Sequence, residues 1–531
     1  MQNTACGVRG IAVAPHALAA QSAIAVLREG GNALEAMIAA AATIAVVYPH
    51  MNGIGGDAFW LLSAPGAPVR AIDASGAAGR SVSRALYADH GLDTIPMRGP
   101  LASNTVAGTI SGWNKALEIG AEWGGRLPLS RLLGDAIHYA RDGIPVTASQ
   151  AASTQAKLAE LATQPGFAET FLIDGASPQA GSVFLQPRLA EVLEQLVRAG
   201  LDDYYRGDLA RRIAGDLATI GSPLTLEDLN AHRALEVRPL ALRHSLGTVY
   251  NMTPPTQGVI SLAILGVADR LGLDKLDPLS ADYVHLTVEA TKQAFRVRDR
   301  HVTDPAYMKV EAQSLLAPER LDELAAQVDA ARAYPWGGAT VPGDTIWMGV
   351  IDGEGRAVSF IQSIYHEFGS GVVLPGTGIN WQNRGCSFSL DPDALNALEP
   401  RRKPFHTLNP ALAVLDDGRT MVYGTMGGDG QPQTQAAVFT RYAVMKMGLQ
   451  AAVSSPRWLL GRTWGSMSES LKLESRFAPE VVQSLRERGH VVDVIGAYDE
   501  TVGHAGALVR HHHGVMEGAF DPRSDGGVAA F

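Results

Sequence analysis

The sequence predicts a layered α+β protein built on antiparallel sheets, and three observations carry that reading. Six segments within the first 344 residues repeat apolar side chains at intervals of three and four. From residue 345 onward the pattern inverts, and pairs of short apolar runs meet around turns rich in Gly and Asp. One such pair, 57–63 and 68–74 around "SAPGAP", stands early in the chain and reads as the first hairpin of a sheet. Hairpin-rich sheets need helices laid over them, because each amphipathic face must be buried against another element.

In chain order the helical segments are 16–29, 33–47, 127–142, 186–199, 207–219 and 279–301. The second holds the most apolar run, "AMIAAAATIAVV" (36–47), which is Ala-rich and too short for a bilayer, and so reads as a buried helix. The later hairpins are 346–351 with 356–364 around "DGEG", 411–415 with 419–424 around "DDG", and 506–511 with 514–520. Helices over 431–447 and 476–488 separate them. No internal repeat or low-complexity segment interrupts this plan. The first of these strands opens abruptly on Thr345, directly after Gly343 and Asp344, far from either end of the chain.

A chain of 531 residues, 46% hydrophobic, can bury a large core as one big fold or as two joined halves. Its formal charge of -10, with no run of like charges, argues against nucleic acid or an anionic membrane as partner and favours a small-molecule enzyme. The first twenty residues have no continuous apolar stretch before a small-residue cleavage site, so no secretory signal is expected and the cytoplasm is the expected location. Cys6 and Cys386 are too few and too distant for a disulfide framework, which suits a reducing compartment.

The sequence contains no G-x-S-x-G elbow, no H-E-x-x-H, no P-loop and no G-x-G-x-x-G, which removes most of the case for a serine hydrolase, zinc protease or nucleotide enzyme. No cofactor and no metal site is expected. His511, His512 and His513 alternate faces at a hairpin tip and read as a solvated turn rather than ligands. In "YGTMGGDGQPQTQ" (423–435) a strand runs into adjacent glycines and then a helix, leaving the Gly427 and Gly428 amides free to hold an oxyanion; a plain tight turn is the duller alternative. Thr345 alone could equally be an ordinary β-branched residue opening a strand.

The stretch "EGGNALEAMIAAAATIAVVYPHMNGIGGDAFWLL" (29–62) resembles the segment that identifies the γ-glutamyltranspeptidase family. "MTPPTQGVI" (252–260), "GDTIWMGVIDGEGRAVSF" (343–360), "FGSGVVLPGTGI" (368–379), "GTMGGDGQPQTQ" (424–435) and "FDPRSDG" (520–526) continue the likeness in order over nearly the whole chain. The resemblance implies an N-terminal nucleophile hydrolase, an αββα sandwich made as a precursor that cuts itself before a Thr. It implies cleavage between Asp344 and Thr345, giving a large chain of 1–344 and a small chain of 345–531 intertwined in one domain. The partner so implied is the protein's own second fragment, a heterodimer, with further oligomerisation left open. Thr is a weak nucleophile at neutral pH, and the α-amine freed beside it can accept its proton, so no His or Asp partner is required. Thr345 then takes the nucleophile position, Ser363 the hydroxyl that contacts the new amine, and Gly427 and Gly428 the oxyanion amides.

The substrate positions of the family are altered. Ser75 stands where the family has the Arg that clamps the substrate α-carboxylate, and Ser387 stands where it has the Asp that holds the α-ammonium. Arg384 replaces the neighbouring Gln or Glu, Tyr365 the assisting Asn, and His406-Thr407 a Ser-Ser pair, while 390–403 is shorter than the family's covering loop. A pocket that welcomed an ammonium has thus lost a carboxylate and gained a guanidinium, which disfavours a glutamyl group by like-charge contact. A small carboxylate without an α-amine fits better, held by Arg384 with Tyr365, His366 or His406. Within the family, residues 359–385 and 405–411 resemble members that act on oxamate, which carries one amide beside one carboxylate. The rivals are a γ-glutamyl hydrolase or transpeptidase with a rearranged pocket, an acylase for a bulkier amide, and a processed protein used only for binding.

Overall fold

The computed structural model describes residues 3–337, 344–461 and 468–531, with Asp344 described by its backbone alone. Two seven-stranded sheets face each other, and every strand pair within them is antiparallel. Across one sheet run Ala5–Gly7, Met516–Phe520, Gly506–Arg510, Thr420–Gly424, Ala411–Leu415, Gly247–Asn251 and Leu240–His244. Across the other run Gly527–Ala530, Gly10–Ala14, Asp344–Asp352, Ala357–Tyr365, Asp57–Ser63, Arg70–Ala74 and Leu235–Val237.

Alternation along the central strands sorts their side chains into layers. From the strand Asp344–Asp352, Trp347 and Ile351 join Phe59, Leu61, Ile361, Leu412, Val422 and Leu508 between the sheets. Met348 and Val350 point the other way, against the helices Ala17–Arg28 and Ala33–Val47. The far face of the opposite sheet, with Val249, Ala413, Met421 and Val509, lies under the helices Gly258–Ala268 and Ala281–His301. The order is therefore helix, sheet, sheet, helix, the αββα sandwich that the family resemblance implies. Trp347 is the largest group between the sheets, and the Cα positions of Gly424 and Gly506 make room for it: a Cβ at either would meet the indole at 2.2 or 2.6 Å.

The helix Ala33–Val47 is buried at every position, as its apolar run requires, and it starts at a capping box in which Asn32 accepts the Leu34 and Glu35 amides while Glu35 accepts the Asn32 amide. Its first amide, at Ala33, donates to Asp352, which also accepts the Glu354 and Arg356 amides and so shapes the "DGEG" hairpin.

Two expectations are corrected. The strand expected to open on Thr345 begins one residue earlier, because Asp344 pairs with Tyr365. The helix expected over 431–447 is α-helical only to Phe439 and continues as a π-turn over Thr440–Val444, where the Thr440 hydroxyl donates to the Ala436 carbonyl and competes with the backbone ladder. Beside the two antiparallel sheets that the sequence predicts stands a separate three-stranded sheet, in which Leu471–Glu474 and Val492–Ile495 run parallel across the helix Pro479–Glu487. The strand Gly10–Ala14, the hairpin Leu240–His244 with Gly247–Asn251, and the strand Gly527–Ala530 have no counterpart in the sequence reading.

Candidate active site

Both sheets present strand ends to the same edge of the sandwich, and that edge gathers the polar residues. Thr345, Ser363 and Asp57 share the alternation of Trp347, Ile361 and Phe59, so their side chains belong to the inter-sheet face. Ser363 lies directly across from Asp57. The register shifts between Asp344 and Ile346, so that Thr345 faces Ser363 and Ile364 as a pair. The bulge places Tyr365 at a φ of +84°, where its amide donates to the Ser363 Oγ at 2.8 Å. Thr345 and Ser363 are both buried.

The Gly-Ile-Gly-Gly segment earns its glycines here. A Cβ on Gly56 would stand 2.0 Å from the Ser363 carbonyl oxygen, so only a bare backbone lets the strand Asp57–Ser63 begin against the end of its neighbour.

From the opposite sheet, the strand Thr420–Gly424 ends in the turn that holds Gly427 and Gly428. Gly427 has a φ of +113° and Gly428 a φ of +51°, after which Gly428–Gly430 forms a 3-10 turn leading into the helix Gln431–Phe439. Among the described residues neither glycine amide has an acceptor, which is the arrangement an oxyanion site needs. Gln257 fixes this turn: its Nε2 donates to the Gly428 carbonyl at 2.8 Å and to the Thr407 carbonyl at 2.9 Å.

Arg384 is buried in the 3-10 turn Arg384–Ser387, with its guanidinium carbon 3.8 Å from the centre of the Tyr365 ring. Its Nη1 donates to the Thr407 Oγ1 at 3.3 Å, whereas Nε and Nη2 are buried without a partner. Burial lowers its pKa to about 10, so it remains a cation at neutral pH. His406 is buried and bonds through Nε2 to Asp57 Oδ2 at 3.0 Å, and its Nδ1 has no partner. Burial, then the Arg384 charge, hold the imidazole well below its ordinary pKa, and burial pushes Asp57 up to about 6. At neutral pH the pair is a carboxylate accepting from a neutral ring.

The other expected residues divide. His366 is buried with its ring against Tyr365 and its Nε2 unpartnered, kept neutral by burial and then by Arg98. Ser387 is half-buried and is spent on the Phe405 carbonyl. Ser75 is engaged elsewhere: it donates to Asp73, which pairs with Lys403, and lines a cavity of about 290 Å³ with His232, Arg401 and Lys403. Thr345, Ser363, Tyr365, Arg384, His406, Thr407, Gly427 and Gly428 are thus gathered at one edge by the pairings above. Asp57 and Gln257 were missed, although an acid opening the apolar strand "DAFWLLS" was a visible signal.

A separate cluster, His285, Glu289 and His490, brings possible metal-ligand atoms within 4.8 Å. It is closed on itself: the two rings bond each other at 2.8 Å, and the Lys292 ammonium takes the cation's place on Glu289 at 2.7 Å. The triplet His511–His513 lies in the turn between two strands, as expected. Both cysteines are free thiols. Among the described residues no helix is long and apolar enough to cross a membrane.

A family model described as Gamma-glutamyltranspeptidase matches residues 19–531. The chain is 60% identical over 532 residues to an oxamate amidohydrolase proenzyme of Klebsiella pneumoniae, covering 100% of both. It is 40% identical to a glutathione hydrolase-like proenzyme of Bacillus subtilis, covering 99% of both. The crystal structure of a cephalosporin acylase from Bacillus halodurans superposes with a TM-score of 0.91 at 33% identity, covering 100% of this chain and 97% of that one.

Proposed function

The chain belongs to the gamma-glutamyltranspeptidase family, and on that premise we propose that it is a self-processing amidohydrolase that converts oxamate to oxalate and ammonia through an acyl-enzyme on Thr345. The observation that carries the substrate is the buried Arg384 cation with Nε and Nη2 unpartnered, since a guanidinium in a dry site calls for a bidentate anion. The 60% identity to an oxamate amidohydrolase proenzyme supports the same reading.

The precursor is cut between Asp344 and Thr345, and the new α-amine, with an ordinary pKa near 8, is partly unprotonated at neutral pH. It takes the proton as Thr345 Oγ attacks the amide carbonyl. The oxyanion draws on the Gly427 and Gly428 amides, and Ser363 holds the amine in place. The amine then returns the proton to the departing nitrogen, which leaves as ammonia. Water attacks the resulting ester by the same route, releases oxalate and restores Thr345, so one amide and one water give one acid and one ammonia.

Ammonia release from a panel of small amides tests this reading. Oxamate should be turned over well, a similar uncharged amide poorly, and γ-glutamyl anilide poorly. Preference for the γ-glutamyl compound would instead favour the rearranged glutamyl pocket. A role in purine-ring breakdown belongs to the same proposal, and so does a cytoplasmic location, which two free cysteines support.

A further inference from the structure

The two oxygens of Asp57 are bonded unequally. Oδ1 accepts the Gly76 amide at 3.0 Å, the Gly108 amide at 3.1 Å and Gln382 Nε2 at 3.2 Å, while Oδ2 meets His406 Nε2 at 3.0 Å. A carboxylate can only accept, so the ring proton of His406 sits on Nε2 and the lone pair on Nδ1. That Nδ1 is buried and unpartnered, and Arg384, which carries two unpartnered nitrogens of its own, bonds the adjacent residue Thr407 through Nη1. The recognition end therefore holds two unused cationic donors and one unused neutral acceptor. Buried polar atoms left without partners in a native fold ask for an occupant. A primary amide beside a carboxylate supplies the complement, with its carboxylate to the donors and an N–H to the acceptor.

We propose that Asp57 is a positioning residue that holds His406 in the tautomer whose Nδ1 accepts an N–H of the substrate amide, which makes the site selective for an amide over the corresponding ester. This rests on the reading of Arg384 as the carboxylate site. Protonation of Asp57 would remove the acceptor that fixes the tautomer, so the selectivity has an acid limit. The groups that bear on Asp57 are Arg384, His232, Gln382, His406, the Asp73–Lys403 pair, and the buried Tyr204 and Tyr205.

Asp57→Asn tests the tautomer directly. The three donors on Oδ1 oblige the new amide to keep its oxygen there and to turn its NH₂ toward His406, which forces Nε2 to accept and moves the ring proton to Nδ1. Oxamate is compared with monoethyl oxalate, which keeps the carboxylate and the carbonyl but has no N–H. In the variant, kcat/KM for oxamate should fall about hundredfold or more relative to that for the ester, as a wrong tautomer does in a triad. The ¹⁵N shifts of His406 should exchange their protonated and unprotonated values, a readout that a purely structural role would not move. In the wild type, the ratio of oxamate to ester turnover should decline below about pH 6; the α-amine acts on both substrates and cancels. Equal losses on both substrates, or an unchanged ¹⁵N pattern, would overturn the proposal. Arg384→Gln separates that outcome from failure of the parent reading: loss of both carboxylate substrates leaves Arg384 in its role, and loss of neither removes it.

Discussion

At the Thr345 end of the site the polar groups are hydroxyls and backbone amides, whereas at the Arg384 end they are ionisable side chains buried with atoms unpartnered. The first end depends on where the backbone runs: a register shift opposite Thr345, a glycine that admits Ser363, and two glycines in left-handed conformation. The second depends on charge held out of water, with a cation, a neutral imidazole and a carboxylate set apart by burial. On the proposed roles of the two ends, the contrast teaches that reaction and recognition can change independently within one fold. A family with one nucleophile can turn from one amide to another by exchanging side chains that the chemistry does not use.

The largest effect should come from Thr345→Ala, which removes the oxygen proposed to attack in both processing and turnover. The variant should run as one chain of 531 residues with no measurable amide hydrolysis, and the wild type as two fragments. Mass analysis of the wild-type small fragment should find Thr345 at its N-terminus; another N-terminus would move the reaction end elsewhere.

Next comes Gly428→Val. Its φ of +51° disfavours a β-branched residue, and losing one oxyanion donor costs about 2.7 to 4 kcal/mol in the barrier. Steady-state kinetics on folded, cleaved material should show kcat lower by about two to three powers of ten. Full turnover would place the oxyanion site outside this turn.

Arg384→Gln should act on one end alone. Self-cleavage should proceed while kcat/KM for oxamate falls by about two powers of ten and an uncharged amide is hurt far less. Equal losses on both amides would show that the guanidinium supports the Tyr365 bulge rather than the substrate. The smallest effect belongs to Gln257→Leu, which cuts the tie between Gly428 and Thr407 and leaves two buried carbonyls short of a donor. Denaturant unfolding should show a loss of about 1 to 3 kcal/mol, with processing retained.

The Thr345 end was more legible in the sequence than the Arg384 end, for a physical reason. Adjacent glycines after a strand, and a strand opening beside Gly343 and Asp344, are local demands of the backbone, and they stay visible at short range. Arg384 was legible as a change of charge against the family pattern. That its Nε and Nη2 lack partners, that Ser75 turns to Asp73, and that Ser387 is spent on a backbone carbonyl are matters of packing between distant segments. Asp57 escaped notice because its partners come from residues 76, 108, 382 and 406, and no short pattern joins them.

Apolar periodicity alone was enough to place the helix Ala33–Val47 and the hairpin of Ala411–Leu415 with Thr420–Gly424 almost to the residue, because each of these elements has a face whose burial its own residues record. Only the tertiary structure decided which strands became neighbours. Gly10–Ala14 lies between Gly527–Ala530 and Asp344–Asp352, and the parallel pair of the small sheet departs from the pattern of the rest. Strand pairing across hundreds of residues is settled by how whole layers bury one another. A local pattern records that a strand has a face to hide and is silent about which partner hides it.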